Sequence, residues 1–273
     1  MSQPENQLPG PSPTYGAPLP PPEQAPEEPA RLGPLSRLTG TLLSPGETFA
    51  DINRKPTWLV ATLIAIVIGI SGNLFFNWRA KPDWNSMLRR VVQKRVDRVG
   101  GQMPSDDQLA LQSTIQRYIF TFSPVLKPIK FLIIAGFLAL GLMLMQAQAT
   151  FKGILSVVAW SDGATEIVSR VVQAATLLVR DSESLQGIDP SKPGSWSATS
   201  LAAFLSSGAS TFLQTIAASF EVFTIWFLIL VVIGLVAISR SRKVTTGKTG
   251  VLVFGLWIVL VLAGAGLASA FGG

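Results

Sequence analysis

Apolar residues in this chain are gathered into long runs that contain few charges. The clearest run lies between Phe220 and Lys243: the segment from Val222 to Ser239 carries no charged residue and is followed by basic residues. About twenty residues in an α-helix measure about 30 Å, which is the thickness of the hydrocarbon core of a bilayer. The pattern therefore predicts a membrane-spanning helix that ends at a basic stop.

Four further apolar runs resemble this one in length. Together the five runs predict an all-α polytopic integral membrane protein with about five transmembrane helices and additional interfacial amphipathic helices. The predicted spans are about 57–78, 126–148, 151–179, 219–239 and 250–271. Small residues within the runs favour close helix contact in lipid. They are Ala65, Gly69, Gly72, Ala135, Gly136, Ala139, Gly141, Gly264, Gly266 and Ala268.

The third run differs from the others because charged residues lie in its central part and not only near its ends. Asp162, Glu166 and Arg170 are spaced four apart, so they line one face of a helix, and Glu166 with Arg170 is a favourable pair. Charges at membrane depth are costly and mark functional sites such as ion paths. The alternative is a shallow or tilted helix whose pair neutralises itself. As one straight helix the run is about 45 Å long, so we expect a tilt, a kink near Gly163, or a hairpin.

The segments before the first span differ in composition. Residues 1–30 are rich in proline and contain no Lys or Arg, which predicts a disordered tail. Residues 31–56 mix apolar and basic residues and predict an amphipathic juxtamembrane segment. Ser44 as N-cap, Pro45 at the first helical position and Glu47 predict a short helix at about 45–53, lying on the membrane surface.

The polar connection at 79–123 has apolar residues at helical spacing with basic residues on the other faces. This predicts a basic amphipathic helix that ends at Gly100-Gly101, followed by a second helix that begins with a Ser105–Gln108 capping box. The basic residues are Arg89, Arg90, Lys94, Arg95 and Arg98. Two interpretations stay open: a surface that binds membrane or a partner, and a solvated face on a packed helical hairpin.

Composition narrows the chemistry. The chain is 48% hydrophobic and 14% charged, against about 25% charged residues in a soluble domain. It has no histidine and no cysteine, which excludes disulfides, thiol nucleophiles, zinc sites built on those residues and a Ser-His-Asp triad. Asp, Glu, Ser, Thr, Lys, Arg and Tyr remain as residues that could carry chemistry, and among them we assign no catalytic residue, no cofactor site and no metal site. The net charge of +6 fits anionic headgroups rather than nucleic acid.

A nucleotide site is not expected. Gly247-Lys248-Thr249 matches the end of a phosphate-binding loop, but Arg242 occupies the position of the required glycine, and a membrane helix precedes it instead of a strand. Glu221, at the boundary of the fourth span, has three possible structural roles: reaching the headgroups, capping the helix, or hydrogen bonding across the bundle.

Basic residues also predict the orientation, because they prefer the cytoplasmic side. The loop after the fourth span contains Arg240, Arg242 and Lys243. With five spans, this loop and the N-terminus are cytoplasmic, and the C-terminus lies outside. The basic connection at 79–123 then also falls outside, in conflict with the rule. A six-segment arrangement, with the third run split into a hairpin, places that connection inside.

Three segments together resemble the domain of the Yip family, in the style of its bacterial members. They are Leu42-Leu43-Ser44-Pro45-Gly46-Glu47-Thr48-Phe49, Thr150-Phe151-Lys152-Gly153, and Glu221-Val222-Phe223-Thr224-Ile225-Trp226. The resemblance covers roughly residues 40–270. It implies five membrane helices, a cytoplasmic N-terminus and no enzymatic activity. We expect a protein that organises membrane or protein partners, possible homo-oligomers included. The alternative is a small transporter or channel that uses Asp162, Glu166 and Arg170.

Overall fold

The computed structural model describes residues 32–181, 185, 199–205, 208–239 and 241–272. The predicted tail at 1–30 and Arg240 lie outside these residues. The regular structure of the described residues is helical, and its α-helices are α1 (Pro34–Leu43), α2 (Pro45–Arg54), α3 (Trp58–Ala80), α4 (Trp84–Val99), α5 (Asp106–Phe122), α6 (Lys127–Leu144), α7 (Phe151–Val179), α8 (Thr211–Ser219), α9 (Val222–Ile238) and α10 (Thr246–Gly272).

The prediction of an all-α membrane protein is confirmed. Among the described residues, three helical segments are long and apolar enough to cross a bilayer: Trp58–Ala80, Asp106–Leu144 and Thr246–Ala270. Helix α9 is also apolar but shorter, and α7 carries charges within its length. Three of the five predicted spans thus meet the criteria of length and composition on their own.

Helix α7 is the centre of the bundle. It runs over 29 residues without a break at Gly163, and every residue from Gly153 to Thr165 is buried. Helices α1, α2, α3, α6 and α9 all pack against it. Because α7 is one helix, the hairpin on which the six-segment arrangement depends is not formed.

Helices α3 and α7 run in the same direction. Going along the chain, Gly69 lies beside Glu166, and the next glycine of the same face, Gly72, lies against the side chain of Arg170. Gly69 also faces the ring of Pro124, whose Cγ lies 2.7 Å from the position that a Cβ would occupy. The predicted small-residue face of α3 is therefore a close-packed surface.

Helix α9 runs opposite to α7. Gly234 of α9 packs on Val157, whereas Ile238, one turn later, packs on Gly153, one turn earlier. By contrast, no described atom lies within 4 Å of a Cβ built on Gly264 of α10. The close packing predicted for the fifth span is thus not made by this glycine within the described chain.

The juxtamembrane segment forms two helices, α1 and α2. Helix α2 begins at Pro45 as predicted, but the Ser44 side chain makes no capping bond. Phe49 and Ile52 on its apolar face are fully buried in the core that α7 and α9 share. The apolar face of α2 is therefore covered by protein, whereas the surface location predicted for it would place that face in lipid. An amphipathic pattern alone does not distinguish the two environments.

Helices α4 and α5 form a hairpin. The predicted capping box is confirmed, because Ser105 Oγ accepts from Gln108 N and Gln108 Oε1 accepts from Ser105 N. Helix α4 ends before Gly100, which has φ 76°. One 3-10 turn joins α5 to α6, so Asp106–Leu144 is a continuous helical segment of 39 residues. The second helix of the polar connection thus continues through this turn into the helix of the second span.

Candidate functional site

The three charged residues of α7 lie on one face, as their spacing predicts. Arg170 Nε donates to Glu166 Oε1 at 2.9 Å, and Arg170 Nη1 donates to Gln173 Oε1 at 2.8 Å. Gly72 of α3 provides room for the stem of Arg170. Since Gly72 lies in the central part of α3, this part of the charged face is opposite the middle of a candidate span.

Two lysines of α6 complete the group, and sequence reasoning missed both. Lys127 Nζ donates to Asp162 Oδ2 and lies 3.5 Å from Glu166 Oε2, while Lys130 Nζ lies 3.7 Å from Asp162 Oδ1. The side chains of Lys127, Asp162 and Glu166 are 13%, 11% and 19% exposed. A lysine at the start of an apolar run looks like an ordinary interfacial charge. Lys127 and Asp162 are 35 positions apart in the sequence, so no local pattern indicates that they pair.

We call these five residues the charge cluster: Lys127, Lys130, Asp162, Glu166 and Arg170. Three cations face two carboxylates, which leaves one net positive charge. Charges removed from water are tolerated when each has a partner, and both carboxylates here have cations within 4 Å. The arrangement joins α6 to α7 and holds each carboxylate in an ion pair.

Glu221 lies at the N-cap position of α9, where sequence reasoning placed it. Its side chain does not cap the helix. Instead, Glu221 Oε1 accepts from Thr199 Oγ1 at 3.0 Å, and Glu221 pairs with Ser200 in an isolated backbone bridge. Of the predicted roles, capping is therefore not the one observed, and the contacts of Glu221 join the start of α9 to the segment before α8.

The predicted basic residues of α4 are all exposed, and only Met87 of that helix is buried. Arg89 pairs with Asp106 of α5, and both are largely exposed. The other basic residues of this surface are Arg90, Lys94, Arg95 and Arg98. We call the five basic residues of α4 the basic face.

In the loop before α10, Arg242 and Lys243 are exposed, and Lys243 Nζ donates to Gln146 Oε1. Arg240, the third residue of this predicted basic group, is outside the described residues. The two described basic residues lie on the opposite end of α9 from Glu221.

A second buried ion pair was not predicted. Arg37 of α1 donates from Nη2 to Asp51 Oδ2 of α2 at 2.8 Å, and from Nη1 to Thr57 Oγ1 at 2.6 Å. Trp160 of α7 donates from Nε1 to the same hydroxyl at 3.3 Å. The pair thus connects α1 and α2 to the start of α3 and to the buried part of α7.

Comparison with known protein families identifies the family of this chain. The family model described as the Yip1 domain matches residues 39–268. The chain belongs to the Yip1 domain family. The matched range begins within α1 and ends within α10, so the charge cluster and the basic face both lie inside the Yip1 domain. Asp51 of the buried ion pair also lies inside it, whereas Arg37 lies just before it. No curated protein and no solved structure matches the chain.

Proposed function

We propose that this Yip1 domain protein is a non-enzymatic integral membrane protein that organises membrane or protein partners, with lipid headgroups as the first partner. The observation that carries the proposal is the basic face of α4, which is exposed along its length. Basic side chains contribute about 1 kcal/mol each near a leaflet that carries anionic lipid, and the proposal requires such lipid in the leaflet that α4 faces. A helix with five of them is suited to binding such a surface.

The test uses purified protein reconstituted in vesicles, with a second population of neutral or anionic vesicles added. Wild type should bind anionic vesicles, and binding should weaken as salt screens the charges. A variant with glutamine at Arg90, Lys94, Arg95 and Arg98 should lose this binding, while Arg89 is kept because it pairs with Asp106. The matched control replaces Arg242 and Lys243. Unchanged binding by the α4 variant would refute the assignment.

We propose further that the domain crosses the membrane five times, with α3, α6, α7, α9 and α10 as spans and a cytoplasmic N-terminus. The parallel course of α3 and α7 and the opposite course of α9 support this order, because alternate spans must share a direction. The chain contains no cysteine, so single cysteines report sidedness. A cysteine at Lys94 should react from outside and one at Lys248 from the cytoplasm. Reaction of Lys94→Cys from the cytoplasm would overturn this topology.

A second candidate is transport through the charge cluster, which the position of Arg170 beside the middle of α3 favours. The ion pairs that hold Asp162 and Glu166 favour a structural role instead. A conducted ion or proton needs a carboxylate that exchanges partners. A flux assay in liposomes separates the two. Uptake that Asp162→Asn and Glu166→Gln abolish, with Lys248→Gln unaffected and all variants folded, would replace the organising function by transport.

A further inference from the structure

An apolar stripe runs along the outside of α5 and continues onto α6. Its residues recur at alternating steps of four and three, which is the spacing of the contact positions in a parallel coiled coil. Each of these side chains belongs to a residue that is between 47% and 64% exposed. We call this stripe the seam, and its residues are Leu111, Ile115, Tyr118, Phe122, Val125 and Ile129.

The seam lies on the side of α5 that is turned away from the rest of the protein. The buried residues of this helix, Leu109, Ser113 and Thr121, lie on its opposite face. Polar residues such as Gln116 are exposed beside the seam. The large exposed apolar side chains of α5 are therefore gathered on one side, with Ile119 at the edge of the stripe. A continuous stripe of this kind indicates a contact surface.

The outer part of the seam extends beyond the end of the neighbouring span. Asn77 of α3 donates from Nδ2 to Thr121 Oγ1 of α5 at 3.2 Å, and α3 ends three residues later. The two helices run in opposite directions. Ile115 and Leu111 precede Thr121 by six and ten residues, so they lie about 9 and 15 Å further along. The apolar length of α3 ends before that height, so lipid around α3 does not account for these two residues.

The seam fits a second copy of the chain. Two copies that share a direction in one bilayer can pair about a two-fold axis along the membrane normal, which brings identical residues together at equal height. A second copy therefore supplies an apolar stripe of the same length at the same height. Like charges do not oppose this pairing, because the residues that flank the outer seam are uncharged. They are Gln112, Thr114, Ile119 and Thr121.

We propose that the protein forms a parallel dimer in which the seams of two copies pack against each other. β-Branched residues at one set of alternate positions with leucine at the other favour two strands, and Ile115, Ile129 and Leu111 follow this pattern. Gly136 continues the spacing within the span, and no described atom lies within 4 Å of a Cβ built on it, so the helices can approach closely there. The inference rests on the membrane location of the domain and not on the lipid proposed for α4.

Single cysteines test the pairing, because the chain has no native cysteine. Leu111→Cys and Ile115→Cys proteins, reconstituted at a low protein-to-lipid ratio, are oxidised with copper phenanthroline. Each should form a covalent dimer, because each residue meets its own copy across the axis and a disulfide requires Cα atoms within about 7 Å. Gln116→Cys, exposed at the same height on another side of α5, is the matched control and should stay monomeric. Equal cross-linking at Ile115 and Gln116 would overturn the proposal.

A glutamate in the seam tests the same contact without cross-linking. Ile115→Glu should weaken the dimer by about tenfold or more, because its charge would lose water in an apolar interface. Gln116→Glu adds the same charge beside the seam and should leave association unchanged. Energy transfer between copies labelled at Lys248→Cys, measured as the protein is diluted with lipid, gives both affinities. Both changed residues are exposed in the single copy, so the fold does not depend on them. Equal affinities of the two variants would contradict the seam.

A fluorophore on Ile115→Cys distinguishes the other possible occupants in bilayers that contain brominated acyl chains. Quenching as strong as that of a label at Leu132 of α6, without cross-linking, would assign the outer seam to lipid and refute the dimer. A monomer whose label is not quenched would assign it to a different protein and would also refute the dimer.

The four-glutamine variant of α4 separates this proposal from the proposed function. It should lose binding to anionic vesicles and still cross-link through Ile115→Cys. Retained vesicle binding together with normal cross-linking would refute only the function proposed for α4. Normal vesicle binding by a protein that does not cross-link at the seam would refute only the dimer.

Discussion

Two arginine–aspartate pairs in this protein have the same chemistry and opposite surroundings. Arg37 and Asp51 join α1 to α2 with side chains 3% and 8% exposed. Arg89 and Asp106 join α4 to α5 with side chains 51% and 83% exposed. The first pair lies where removal of either partner leaves a charge out of water, and the second lies where water replaces a lost partner. Environment, rather than the type of pair, decides which one holds the fold.

The largest expected effect comes from breaking the buried pair. Asp51→Leu should lower the free energy of unfolding by about 3 to 5 kcal/mol, because the Arg37 guanidinium keeps its charge in a buried site. Denaturation in mixed detergent micelles measures the change. The double variant Arg37→Met with Asp51→Leu should recover most of the loss, since replacement of a buried pair by apolar residues is often neutral. A double variant as unstable as Asp51→Leu would show that the pair itself is indispensable.

The next largest effect is expected at a glycine in a close helix contact, compared with a glycine that has no neighbouring side chain. Gly69→Ala should destabilise the protein by about 1 to 3 kcal/mol, because the added Cβ would meet the Pro124 ring, which cannot rotate away. Gly264→Ala is the matched control: it meets no atom within 4 Å and should be neutral or slightly stabilising. Thermal unfolding in detergent compares the two. Equal midpoints would mean that α3 and Pro124 can separate at little cost.

The exposed pair should give a much smaller signal. Arg89→Met should change the free energy of unfolding by about 0.5 kcal/mol or less, because an exposed ion pair is only slightly more stable than the two charges solvated separately. The coupling energy of Arg89 with Asp106, obtained from a double-mutant cycle, is to be set beside that of Arg37 with Asp51. A coupling of similar size in the two pairs would break the comparison.

The smallest effect is a local dependence on pH in the hairpin. The Ser86 side chain and backbone, which donate to the Asp83 carboxylate, lower the pKa of Asp83 below its ordinary value of 3.8. Because the folded pKa is the lower one, the stabilisation of the first turn of α4 is complete above about pH 3.8. It is lost as pH falls through the folded pKa. Hydrogen exchange in this turn should show the loss, and Asp83→Asn should abolish its dependence on pH.

Helix positions were accessible to sequence reasoning because apolar runs in a membrane protein have a length set by the bilayer. The run at 151–179 has the same bounds as helix α7, Phe151–Val179. The Ser105–Gln108 capping box was also predictable, since it depends on residues three apart. Both features are local, and a local pattern is complete in a single sequence.

The ion pairs between different helices were not accessible in the same way. Lys127 and Asp162 lie on two different helices, and the sequence around either residue does not indicate that it pairs with the other. The burial of Phe49 on α2 was missed for a related reason: an apolar face that covers protein has the same spacing as one that enters lipid. Partners that lie on different helices depend on helix order, which periodicity within one helix does not contain.

The separation of Lys127 from its carboxylates also has a consequence during synthesis. Asp162 is added 35 residues after Lys127, which takes about 2 to 7 s at ordinary elongation rates. For that interval the lysine must be held in water or by another protein, because its counter-charge does not yet exist. The second span can therefore take its final place only after α7 has been made as far as Asp162, and the order of translation sets the order of assembly.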